Sequence, residues 1–135
     1  MPDINLNPDG PHSPELTAEA GQLLDDCSRF LTYATMGGKG GLKYPADAYR
    51  LVADLYSATG RFPQVCEQLA RFLREHLAAG HLYDAKAGEP EEACADAAAH
   101  LEQAGKLAAA LTRALQAVQA DIAGLGVKEE NTDGT

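Results

Sequence analysis

The run Gly37-Gly38-Lys39-Gly40-Gly41-Leu42-Lys43 is the first place to look for chemistry. Successive glycine N–H groups can form an anion-binding nest, and Lys39 and Lys43 add positive charge. Lys43 is followed by Tyr44, so the Lys-Ser/Thr pair of a phosphate-binding loop is missing, and no strand pattern precedes the glycines. The run reads as an inter-helix connection with at most an anion or partner contact. Glu92, Asp96 and His100 recur every four residues, a spacing that puts them on one helix face. A metal site in a helical bundle also needs ligands from neighbouring helices, usually with Glu-x-x-His pairs, and the sequence has none. A solvated charged face is the plainer reading. His76 follows the apolar stripe of its helix and reads as a boundary residue, while His12 and His81 fall in tail and loop.

Nucleophilic chemistry finds little support. No G-x-S-x-G elbow occurs, and Ser13, Ser28 and Ser57 fit cap or helix-surface positions. Cys27, Cys66 and Cys94 are odd in number, widely spaced and without a C-x-x-C pair, which implies neither a disulfide framework nor a zinc knuckle. Each falls on an apolar stripe and is expected to be a small buried hydrophobe. The sequence therefore predicts no enzyme activity, no cofactor and no metal.

These residues are positioned by helices. Pro14, Pro45, Pro63 and Pro90 each open a run of helical periodicity, as proline does at a first helical position. Glycines close the same runs, at Gly37-Gly38, Gly60, Gly80 and Gly124/Gly126, where a left-handed residue commonly ends a helix. The spacing predicts helices over about Pro14–Met36, Pro45–Thr59, Pro63–Ala79 and Pro90–Ala123. The first has Ser13 as N-cap and carries Leu16, Ala20, Leu23, Cys27, Phe30 and Ala34 at alternating spacings of four and three. The second carries Ala48, Leu51, Val52, Leu55 and Tyr56. The third carries Val65, Cys66, Leu69, Phe72, Leu73 and Leu77. In the fourth, Cys94, Leu101, Ala108, Leu115 and Ile122 hold one position of a heptad, and Ala97, Ala104, Leu111, Val118 and Leu125 hold the other. Gly21 and Gly105, interior to helices, are candidates for close helix crossings, with a kink the alternative at Gly105.

Only Gly60, Arg61 and Phe62 separate the second and third helices, which predicts a tight hairpin or corner. Val52, Ala53, Tyr56, Gly60 and Phe62 make this 30-residue stretch resemble one tetratricopeptide-type helix pair, although Val65 and Phe72 replace small residues of the second helix. A solenoid needs about three such units and one is visible, so the resemblance implies local packing only. The same hairpin has the outline of a helix-turn-helix, with the third helix presenting Gln64, Gln68, Arg71 and Arg74.

The 135 residues carry a net charge of -9, and 45% of them are hydrophobic. This length suits one domain with a core. The acidic balance argues against non-specific binding to nucleic acid or anionic lipid. Along the chain, however, residues 1–28 carry -6, residues 29–74 carry +4 and residues 75–135 carry -7, and all eight aromatic residues lie between Phe30 and Tyr83. The first residues resemble no leader peptide and no apolar stretch is long enough to span a bilayer, so a cytoplasmic protein without membrane contact is expected.

The resulting expectation is an all-α, four-helix bundle-like domain over residues 13–126, with long first and last helices, a short central helical hairpin, and disordered tails at 1–12 and 127–135. Its function is expected to be that of a small non-enzymatic protein–protein interaction module, an adaptor or accessory protein. The surplus apolar seam of the last helix, at Leu111, Leu115, Val118 and Ile122, predicts a homodimer. Lys39, Lys43, Arg61, Arg71 and Arg74 are the candidate polar contacts for a partner. The alternative is a DNA-binding regulator that uses the basic hairpin, with nucleic acid the less favoured partner.

Overall fold

The computed structural model describes residues 6–86 and 88–129. Among them the chain is helical, with α1 at Pro14–Ala34, α2 at Pro45–Thr59, α3 at Phe62–Ala78 and α4 at Pro90–Ile122, and without strands. All four helices carry a proline at their first or second position. The chain divides into two compact units, one ending at Lys43 and one beginning at Tyr44.

In the first unit, Ser13 has extended backbone and its Oγ accepts from Leu16 N at 3.1 Å, satisfying an amide that the first turn of α1 leaves unpaired. Residues expected to be disordered before it hold a turn, in which Gly10 N donates to Asn7 O at 3.0 Å and Asp9 N to Asn7 Oδ1 at 3.0 Å. The stretch 1–5 and most of the C-terminal tail lie outside the described residues. Along the α1 stripe, Leu16, Ala20, Leu23 and Ala34 are half-buried, whereas Cys27 and Phe30 are exposed. The expected buried role of Cys27 is therefore corrected, because α1 has no buried residue at all. Beyond α1 the glycine run turns back. Gly38 and Gly40 take positive φ, and a side chain at Gly41 would run into the Ala34 carbonyl.

The second unit corrects the expected central hairpin. Gly60 has φ -63 and ψ -21, and Arg61 has φ -90 and ψ -16, so both stay in the right-handed helical region. Gly60 N donates to Tyr56 O and Arg61 N to Ala58 O, continuing the helical pattern with one tightened step. Gly60 is thus no left-handed stop, and the chain passes from α2 into α3 without reversing. The interruption has a local cause, because Pro63 has no N–H to give to the turn before it.

The reversal comes after α3, at Gly80 with φ +74 and the connection to Pro90. α4 then runs antiparallel to both earlier helices: Thr59 Oγ1 lies 2.8 Å from Thr112 Oγ1, Gly105 lies against Pro63 and Cys66, and Ala98 shares a crevice with Ala70. As numbers rise along α2 and α3, their α4 partners fall. The unit is therefore a two-layer helical hairpin whose first arm is kinked at residues 60–61. Its seam is built of small residues, with Ala70, Cys94 and Ala98 buried beside Thr59 and Gly105. Among the described residues no large side chain is fully buried. Gly105 does mark a close crossing, whereas nothing lies near the missing Cβ of Gly21.

Candidate functional site: an apolar face on the helical hairpin

Two helices in contact cover only one arc of each other, and the remainder of each apolar stripe stays open. On α3 the covered positions are Pro63, Cys66, Ala70, Leu73 and Leu77, recurring every three or four residues. Val65, Leu69 and Phe72 stand beside this seam, 49–54% exposed. On α4 the covered positions include Cys94, Ala98, Leu101, Gly105 and Thr112, while Leu107, Leu111 and Val118 are 40–59% exposed. The second heptad position of α4 therefore faces away from its seam.

Both open stripes lie on the same side of the hairpin. At about 100° per residue, each is displaced from its own seam by roughly 80–145° in the backward sense of rotation. In an antiparallel pair, equal senses of rotation lead to the same side. The forward flank agrees, because Glu67 and Arg74 of α3 line one crevice of about 470 Å³ together with Glu102 and Lys106 of α4. Along α3 and the C-terminal half of α4 the seam thus has an apolar flank and a charged flank.

The charged side carries two ion pairs within single helices, Arg71 to Glu67 and Lys106 to Glu102, each at 3.3 Å and well exposed. Such pairs contribute only tenths of a kcal/mol. Arg61 is committed elsewhere, since its Nη1 donates to Ser57 O at 2.9 Å and lies 3.1 Å from Ser57 Oγ. The structure therefore does not gather Arg61, Arg71 and Arg74 into one patch. Arg61 is ten residues from Arg71, about 15 Å along the helix. Lys39 and Lys43 belong to the first unit, both exposed, and Lys39 N donates to Met36 O at 3.4 Å.

Of the seam residues expected to pair two chains, Leu111 and Val118 are exposed, and Leu115 and Ile122 half-buried. Val65, Leu69, Phe72 and Leu107 join that surface. The sequence did signal them as apolar, but α3 carries a stripe wider than one neighbouring helix can cover, and periodicity alone does not show which part remains open. Glu92, Asp96 and His100 are exposed on α4, and the described residues contain no group of three or more His, Cys, Asp or Glu placed to hold a metal. Cys94 is buried and Cys66 half-buried. No described helix is long and apolar enough to cross a membrane.

The chain was compared with protein-family models, curated proteins and solved structures, and it matches none of them.

Proposed function

We propose that this protein is a small, non-enzymatic helical interaction module, an adaptor or accessory protein of the cytoplasm, that self-associates through the C-terminal part of α4. The observation that carries this reading is the open stripe at Leu111 and Val118, flanked by half-buried Leu115 and Ile122. Large apolar side chains repeated on one helix face cost free energy in water, and covering each is worth about 1–2 kcal/mol at half exposure. The proposal includes a four-helix bundle as the state in which the stripes are covered, with residues 13–126 acting as one helical domain.

A helix-turn-helix reader of DNA requires a corner between α2 and α3. The helical backbone at Gly60 and Arg61 gives that reading no support, so the interaction module is the reading we favour.

Sedimentation velocity across micromolar concentrations tests the proposal. The expected mass is twice the 14.2 kDa chain, and Val118→Glu or Leu111→Glu is expected to shift it to the monomer without loss of helicity by circular dichroism. A wild-type monomer throughout that range would overturn it.

A further inference from the structure

The hairpin's apolar side extends beyond the proposed α4 stripe. Val65, Leu69 and Phe72 of α3 and Leu107, Leu111 and Val118 of α4 flank the seam on the same side, none of them less than 40% exposed. No charged residue belongs to either set of three. The charges that line the α3–α4 crevice, Glu67, Arg74, Glu102 and Lys106, belong to the opposite flank.

We infer that the occupant of this face is a second copy of the same hairpin, so that two copies, each contributing its kinked α2–α3 arm and its α4 arm, build one four-helix bundle. The inference rests on the self-association proposed above and deepens it by adding α3 to the interface. Area supports this occupant. The six side chains expose roughly 500 Å², and half-buried neighbours such as Leu51 and Phe62 raise the face to roughly 700 Å², close to the 800 Å² per partner of a standard stable interface. α4 alone would offer about half of that. Symmetry supports it too, because a two-fold dimer needs one patch that complements itself. The α3 and α4 stripes themselves bring no like charges together, and the exposed Asp54 of α2 lies on the same side. The hairpin's two arms are also nearly equal in length, with α2 and α3 together spanning Pro45–Ala78 and α4 spanning Pro90–Ile122. The register set by Thr59–Thr112 and Gly105–Pro63 staggers the two stripes, the α3 stripe toward the Gly80 end and the α4 stripe alongside α2, so that together they run most of the hairpin's length. This intermolecular bundle differs from the one expected within a single chain, which counted α1 and a central hairpin.

The test is sedimentation velocity of the full chain and of single-site variants, each checked for helicity by circular dichroism. The expected result is a wild-type dimer whose dissociation constant rises at least tenfold in Leu69→Glu and also in Leu111→Glu, since either places a carboxylate in an apolar contact. Lys106→Glu, on the charged side, is expected to leave the dimer unchanged. Should Leu69→Glu unfold the hairpin, Leu69→Gln is the substitute, exposed in the monomer and compatible with a helix. A dimer weakened by Leu111→Glu but indifferent to both Leu69 variants would overturn the two-arm bundle while leaving self-association through α4 intact. A wild-type monomer throughout the micromolar range would overturn both.

Discussion

Single residues here act mainly through whether a backbone can approach them. Gly21 and Gly41 look alike in the sequence, yet they face opposite conditions. Gly21 lies inside α1 with nothing near its missing Cβ, whereas a Cβ on Gly41 would meet the Ala34 carbonyl. Gly21→Ala is therefore expected to stabilise α1 by about 1 kcal/mol, the usual difference in helix propensity. Gly41→Ala is expected to loosen the return of the glycine run onto the end of α1. Hydrogen exchange read on the α1 amides separates the two: protection rises in the first variant and falls toward the C-terminal turn in the second. Equal protection in both would contradict the close approach.

Elements decide how near the two arms of the hairpin can come. Ala70, Ala98 and Gly105 permit tight packing of α3 on α4, and the Thr59–Thr112 contact joins α2 to α4 where the arm bends. At Ala70, buried to 4% exposure against α4, a larger side chain has to displace its neighbours. Ala70→Leu is expected to destabilise the hairpin by about 1–3 kcal/mol, as overpacking does elsewhere, and urea denaturation followed by circular dichroism would measure it. An unchanged midpoint would mean that the arms pack more loosely than described. The helices themselves were legible in the sequence to within one or two residues, since Pro14, Pro45, Pro63 and Pro90 announced them all. The junction at residues 60–61 was not. A glycine three residues ahead of a proline is compatible both with a reversal and with a kinked continuation, and the choice depends on whether α4 rewards a straight arm or a folded one.

For the whole molecule, charge separates the possible partners. The net charge of -9 opposes contact with polyanions, and the positive segment does not concentrate its cations: Arg61 is engaged at Ser57, Arg71 pairs with Glu67, and Arg74 stands in the crevice among carboxylates. We therefore expect no salt-sensitive gel shift with duplex DNA, and no difference between wild type and a variant with Arg71 and Arg74 changed to Ala. A shift that disappears at higher salt and in that variant would restore the DNA reading.

The sequence by itself determined that the chain is helical, where its helices start and stop, and that more apolar surface is present than its short connections can fold away. Periodicity and proline placement are local properties, and local sterics suffice to fix them. The tertiary structure decided which part of each stripe is covered. It turned the supposed central hairpin into one kinked arm, moved the reversal to Gly80–Pro90, and left Val65, Leu69 and Phe72 of α3 and Leu111 and Val118 of α4 in the open. The reason is geometric: a helix of period 3.6 advertises a broad apolar arc, but one neighbour covers only a part of it, and the angle at which that neighbour docks is set by the small residues at Ala70, Ala98 and Gly105.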